Sequence, residues 1–346
     1  MTSDISRQTA TAVTTPTLSP GALLRRPEAG AFLGLMAVLI FFVAFGGIAF
    51  LKPGGMASWL NVAANLGIIA IPVGLLMIAG ELDISVGAMV PLGAMTVSVI
   101  AGHFGMSIWL GIAVALSFGV IVGLVNGYMV IRTAVPSLIV TLGSLFAVQG
   151  IVLGLTVLIT KSTSVALTVE GPAKAMFGDF LFGGQLQVMV IWWLIFTAAY
   201  VFFVHFSPKG NWIFAMGGDK VSARNAGIPT DRMTILLFVL SSTSAAFVGM
   251  CQAILYNSAQ VAGGQSFIFN SIISVVVGGV LLTGGFGSVV GIFFGTITFA
   301  IVNQGIYYTD FDRNWSALII GVLLLLAVLM NNTFRKMALS YSPKKK

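Results

Sequence analysis

Residues 58–101 read SWLNVAANLGIIAIPVGLLMIAGELDISVGAMVPLGAMTVSVIA, and this stretch decides the class of the chain. Nearly every residue in it is apolar, over about twice the ~20 residues that one membrane crossing needs. The run is interrupted once, at Gly80-Glu81-Leu82-Asp83-Ile84-Ser85-Val86-Gly87, where two carboxylates and a serine fall together. It therefore divides into two spans joined by a short polar turn. The apolar residues are continuous rather than alternating, which suits helices and excludes a β-barrel.

The pattern extends in both directions. Apolar runs lie near 30–51, 58–80, 84–101, 107–131, 136–160, 187–206, 234–256, 268–283, 287–307 and 314–331. The expected fold is all-α and integral to the membrane, with about ten transmembrane helices. The run at 268–283 is short and suggests a broken or tilted helix. Two connections are long, Lys161 to about Gln185 and Ser207 to about Met233. Residues 1–29 hold Pro16, Pro20 and Pro27 and no apolar run, the composition of a disordered tail. Arg25 and Arg26 abut the first run without a short cleavable apolar region, so that run is expected to stay as a span. The domain reading is a tail at 1–29, a transmembrane domain at 30–331 and a basic tail at 332–346.

Composition agrees. The 346 residues are 58% hydrophobic and 8% charged, whereas a soluble domain carries about 25% charge. That excludes an ordinary soluble enzyme, a disordered chain and a coiled coil. The formal charge of +7 is read as a topology signal rather than a nucleic-acid footprint. With the N-terminus inside, thirteen of the 17 basic residues fall in inner segments. Both termini are then cytoplasmic. The single cysteine, Cys251, lies in an apolar run and reads as a packing residue.

Glycines recur at four-residue steps in two runs, Gly119, Gly123 and Gly127, then Gly287, Gly291 and Gly295. Such stripes let helix backbones approach closely in lipid. Asn126 and Asn303 close the same two runs. The glycines imply a shift of 168 residues and the asparagines 177. Either shift displaces the chain by five spans, which reverses direction and suggests inverted five-helix repeats. Chance recurrence of glycine stripes is the alternative.

No constellation for catalysis, a metal or a cofactor emerges. His103 and His205 lack partners at ligand spacing. There is no phosphate-loop motif, so any ATP would be bound by another chain. Asp83 has three readings: a cap at the start of the next helix, a wall of a polar pathway or partner contact, or, with Glu81, a proton-coupling carboxylate. Other polar groups within the spans are sparse: Asn61, Asn65, Asn126, Thr141, Gln149, Asn270, Ser271, Asn303 and Gln304. Each could line a pathway or bond between helices. The inner loop from Pro208 to Ile228 carries Trp212, Ile213, Phe214 and Met216, too apolar for a solvated linker. Residues Asp219 to Ala226 can form a short helix between Gly217-Gly218 and Gly227. It either packs on its own bundle or docks a partner.

Four blocks in order resemble the permease subunits of bacterial ABC importers of the ribose/monosaccharide type, which are related to the branched-chain amino-acid permeases. Glu81-Leu-Asp-Ile-Ser-Val-Gly87 resembles the Gly-Ile-Asp-Leu-Ser-Val-Gly signature, with Glu81 where glycine is more usual. Pro136-Ser-Leu-Ile-Val-Thr-Leu-Gly143 resembles the opening of the fifth span. Asn211 to Ile228 resembles the cytoplasmic loop, and Val277 to Ser288 the glycine-rich block. The resemblance implies a type II importer-like fold and no enzymatic activity in this chain. It implies sugar or polyol import across the bacterial inner membrane by alternating access. Its partners would be an ATP-binding subunit, a periplasmic or lipid-anchored solute-binding protein and a second permease chain. Gly217, Gly218, Asp219, Ala223, Arg224 and Gly227 would then couple to the ATPase subunit. Glu81, Asp83, Ser85, Asn126, Thr141, Asn270 and Asn303 would belong to the signature loop or pathway. The alternatives are a proton-coupled secondary transporter using Glu81 or Asp83, a permease for an amino acid or nucleoside, and a membrane enzyme.

Overall fold

The computed structural model describes residues 27–133, 135–310 and part of 312–329. The tails expected at 1–29 and 332–346 fall outside these residues except for 27–29, and the last apolar run falls partly outside them. Helix α1, Pro27–Leu51, is followed at once by α2, Pro53–Ile78. Both begin with proline, whose fixed φ and missing N–H suit the first helical turn. Helix α3, Val86–Val97, runs on as a π-turn through His103, and α4 and α5 span Ile108–Arg132 and Ser137–Thr160. After α5 come strand β1 (Ser164–Ala166), short helix α6 (Pro172–Phe177) and hairpin β2–β3 (Phe180–Leu181, Leu186–Gln187). Helices α7 (Met189–His205), α8 (Pro208–Gly218), α9 (Lys220–Asn225) and α10 (Thr230–Tyr256) follow. Strand β4 (Ser258–Gln260) pairs antiparallel with β1, and α11 (Gln265–Val277) and α12 (Val289–Gly305) follow, before short turns of helix at Ile306–Tyr308 and Arg313–Trp315.

Among the described residues seven helices are long and apolar enough to cross a membrane. Helices α7 and α8 form a bent pair at 77°, and α11 is a shorter apolar helix. The bend has a local cause. Ser207 precedes Pro208 and is extended (φ −125°, ψ 153°), because the proline ring disfavours helical backbone in the residue before it. Helix α11 stops at Val277 because the chain turns through Gly279 in the left-handed region, at φ +90°. The apolar run expected to 283 is therefore a 13-residue helix, about 20 Å long, followed by a glycine turn.

Two details differ from the sequence reading. The outer connection holds short strands, so the fold is not helical throughout. The inner connection is a pair of helices rather than a loop: Gly217 and Gly218 end α8 instead of opening α9.

Helices α2 and α10 are the most buried spans, whereas α4 and α5 turn most of their surface outward. The α4 stripe lies against α10. A Cβ on Gly119, Gly123 or Gly127 would sit 2.8, 2.5 or 2.7 Å from the Cα of Thr243, Val239 or Ile235. Gly291 and Gly295 of α12 instead meet the end of α11, with Cβ positions 2.3 Å from the Gly278 oxygen and 2.1 Å from that of Ser274. Gly287 lies before α12, against Val280. The two stripes thus have different partners.

The ends of α2 and α10 define two faces. Helix α2 ends, and α10 begins, beside α8 and α9. At the other face α10 is capped by α6, where Lys174 Nζ donates to the carbonyls of Ile254 (2.6 Å) and Leu255 (3.1 Å) and to Asn257 Oδ1 (3.1 Å). A cation there offsets the negative end of the helix. The chain before α3 enters from the first face and the chain before α11 from the second. They meet in the interior, where a Cβ on Gly264 would lie 2.0 Å from the Gly87 oxygen.

Candidate functional site: a buried junction, a glycine joint and an amide-lined cavity

The carboxylate turn that divides the first quoted stretch reaches deep into the bundle. Asp83 is 1% exposed. Ser241, near the middle of α10, lies beside it. Asp83 Oδ1 accepts the backbone N–H of Ser85 (2.9 Å) and its hydroxyl (2.5 Å). Asn126 Nδ2 of α4 donates to Ser85 Oγ (3.0 Å), and Ser144 of α5 donates to Asn126 Oδ1. The first turns of α5 hold the same loop by its backbone: Leu82 N–H donates to Ser137 Oγ (3.0 Å) and Ile84 N–H to Thr141 Oγ1 (3.3 Å). Asp83 therefore closes a turn on Ser85 rather than bonding the N–H groups inside α3. Its hydrogen-bond partners are neutral, which is how a buried acid is held when no cation pairs with it. Of the sequence-selected residues, Asp83, Ser85, Asn126 and Thr141 come together here. Ser137 and Ser144 belong to the same network, Ser241 stands beside it, and their separation in sequence hid them.

Glu81, two residues earlier, reaches the first face. Its Oε1 pairs with Lys220 Nζ of α9 at 2.5 Å. Beside that pair three glycine segments touch. A Cβ on Gly217 would stand 1.7 Å from the Ile78 oxygen and 2.4 Å from the Gly285 nitrogen. Gly285 N–H donates to the Ile78 oxygen at 2.8 Å. Only glycine permits this approach of α8 to the end of α2 and to the block before α12.

Helix α9 is braced from within. Asp219 caps it by accepting Ser222 N–H at 2.9 Å. Arg224 Nε donates to Thr230 Oγ1 at 3.0 Å, and its guanidinium pairs with Asp231 at the start of α10. Gly227 turns the chain at φ +85°. Ala223 is buried, whereas Val221 is 70% exposed. The exposed residues of α9 are thus Val221, Ser222, Arg224 and Asn225. Gly217 and Ala223 face the bundle.

Toward the other face lies a cavity of about 220 Å³ between α2, α10, α11, α12 and the end of the hairpin. Six carboxamides line it: Asn61, Asn65, Gln187, Gln252, Asn270 and Asn303. Tyr256, Phe267 and Phe299 supply apolar walls, and none of its lining residues is charged. The amides orient one another. Asn65 Nδ2 donates to Gln187 Oε1 (2.9 Å), Gln187 N–H to Asn61 Oδ1 (2.9 Å), and Gln252 Nε2 to Asn65 Oδ1 (3.3 Å). Each carboxamide both donates and accepts, so the wall can match an uncharged molecule rich in hydroxyl groups. Asn270 and Asn303 belong here and not to the Asp83 junction. Gln187, expected to open the apolar run at 187–206, lies instead in the hairpin strand Leu186–Gln187, with the helix starting at Met189.

Residues 55–328 match the family described as branched-chain amino acid transport system / permease component. The fructose import permease protein of Rhizobium meliloti is 27% identical over 325 residues, covering 89% of this chain and 87% of that one. The ribose import permease protein of Escherichia coli K12 is 28% identical over 269 residues (77% and 81%). The xylose/arabinose import permease protein of Sulfolobus acidocaldarius is 29% identical over 322 residues (88% and 85%). No solved structure matches the chain. With four-fifths of its length matched and its apolar helices in the expected order, the chain belongs to the branched-chain amino acid transport system / permease component family.

Proposed function

We propose that this chain is the permease subunit of an ATP-driven importer that carries a monosaccharide or a related polyol across the bacterial inner membrane. The amide-lined cavity is the observation that carries the reading. Its hydrogen-bonding wall bears no charge, which suits a neutral sugar better than the zwitterion of an amino acid. The relatives' names, import permeases for fructose, ribose and xylose/arabinose, point to the same solute class. Passage proceeds by alternating access: the cavity opens to one face and then the other as the joined helices rock.

An ATP-binding subunit grips the α8–α9 face, with Val221, Ser222 and Asn225 as the contact and the inward Gly217 and Ala223 transmitting motion to α2 and α12. The residues from Gly217 to Gly227 thus serve coupling. A solute-binding protein delivers the sugar at the opposite face, and a second permease chain completes the assembly. Ten spans result when α7, α11 and the run at 314–331 each count as one, with both termini cytoplasmic. The five-span inverted repeat is supported by recurring partnerships: α4 packs on α10 as α12 packs on α2, and α3 on α4 as α11 on α12.

The test is uptake in liposomes. The chain reconstituted with its ATPase subunit and binding protein should accumulate sugar only with ATP. Accumulation by this chain alone under a pH gradient would overturn the reading and favour a proton-coupled carrier.

A further inference from the structure

The carboxamides of the cavity are not equivalent, because backbone groups fix the orientation of some and leave others free. Asn61 Nδ2 donates to the Gln185 carbonyl at 3.0 Å, and Asn61 Oδ1 accepts the Gln187 backbone N–H at 2.9 Å. A carbonyl only accepts and an N–H only donates, so this amide has one possible orientation. Asn65 is fixed in the same way, since its Nδ2 donates to the Asn61 carbonyl at 2.9 Å. Gln187 must then meet Asn65 Nδ2 with its oxygen, and Gln252 must meet Asn65 Oδ1 with its nitrogen. Both polar atoms of Asn61 and both of Asn65 are thereby engaged within the wall.

The remaining groups form a defined set. Gln187 keeps Nε2 as a donor, and Gln252 keeps Oε1 as an acceptor. Asn303 Oδ1 accepts from Gln304 Nε2 at 2.8 Å, which leaves its own amide N–H groups to donate. Asn270, on α11, has no hydrogen-bond partner among the described residues. It is the carboxamide of the cavity with both ends unpaired, and so it holds no neighbouring helix in place. Its Oδ1 and Nδ2 lie along one edge of a planar group, able to accept from one hydroxyl and donate to the next. Adjacent hydroxyls on a sugar ring present that pair. A lone alcohol or the ammonium of an amino acid does not.

We infer that Asn270 is the specificity-determining residue of the cavity and that it selects a sugar with two adjacent free hydroxyls. Gln187 Nε2 and Gln252 Oε1, held rigidly by Asn65, engage further hydroxyls, while Phe267 and Phe299 lie against the C–H groups of the ring. The inference rests on the function proposed above and adds to it the hydroxyl pattern that the passage reads. The division of labour is physical: a cross-linked wall keeps its shape without solute, and one unconstrained amide on another helix answers to what enters.

The experiment uses the chain assembled with its ATPase subunit in proteoliposomes, with ATP and with sugar presented as preloaded binding protein. The probes are whichever of ribose, xylose and fructose the wild type takes up, and the monodeoxy analogues of it that the binding protein also holds. The wild type should carry the parent sugar about tenfold faster, or more, than an analogue lacking one hydroxyl of the selected pair, because a site built to bond a hydroxyl rejects the molecule without it. Asn270→Ala and the similarly sized Asn270→Leu should slow the parent sugar and bring that ratio to about twofold or less. Asn270 bonds no protein group among the described residues, so neither change should disturb folding, which a size-exclusion profile checks. A wild-type ratio retained in both variants overturns the inference, whether or not uptake slows, and so does a wild type indifferent to every analogue. Failure of the wild type to take up any of the three sugars with ATP, ATPase subunit and binding protein instead overturns the functional reading beneath it.

Discussion

At the residue scale, Asp83 shows how a buried acid can be structural. Its Oδ1 organises Ser85, and through Ser85 it organises Asn126 and Ser144, so three spans depend on one oxygen. An amide keeps that acceptor and removes the charge. Asp83→Asn should therefore assemble normally and retain most uptake. Asp83→Ala leaves buried donors unpaired, at about 1–3 kcal/mol for each group, and should lower the thermal stability of the purified protein in detergent by several degrees. If Asp83 carried protons for transport, Asp83→Asn would instead abolish uptake while leaving stability untouched. Glycine positions have the same all-or-none character. At Gly217 the nearest carbonyl leaves no room for a methyl group, so that residue cannot be probed by a bulky substitution without breaking the bundle itself.

At the element scale, α9 is a short helix held in place by side-chain contacts at both ends. It is six residues long, too short to be stable alone, and is held by its Asp219 cap, the Arg224–Asp231 pair and the Lys220–Glu81 pair. The last of these is the direct side-chain link between α9 and the loop that carries Asp83. Glu81→Gln and Lys220→Gln should each leave complex assembly intact. If α9 couples the bundle to an ATPase subunit, as proposed, each should lower sugar moved per ATP hydrolysed by a few-fold. Exchanging the charges, Glu81→Lys with Lys220→Glu, should restore much of the ratio. Single variants with a wild-type ratio would remove the pair from the transmission path.

At the scale of the whole molecule, the helices are packed through backbone contacts. At the crossing of α3 and α10, Cβ atoms on Gly249 and Gly93 would stand 1.9 Å and 2.1 Å from the oxygens of Val90 and Ala246. Gly249→Leu should therefore eliminate folded protein in a size-exclusion profile, whereas Gly34→Ala, on α1 with nothing within 4 Å, should be silent. Close backbone approach is the packing available in lipid, where apolar surface gains little from leaving water.

Composition and run length were enough to establish a helical membrane protein, because a span must satisfy its backbone within itself and the apolar stretch needed is read directly from residue counts. That the apolar run breaks at Gly80–Gly87 and that a short helix forms near residues 219–226 was legible for the same local reason. The α8 helix and the bend at Ser207 were less so, since a proline can end a helix or begin one. Only the tertiary structure decided which polar residues meet. Asn126 joins Ser85 from 41 positions away, and Gln187 joins Asn65 from 122. Partnerships at such distances depend on helix rotation and depth, which backbone packing among many spans sets and no local pattern encodes.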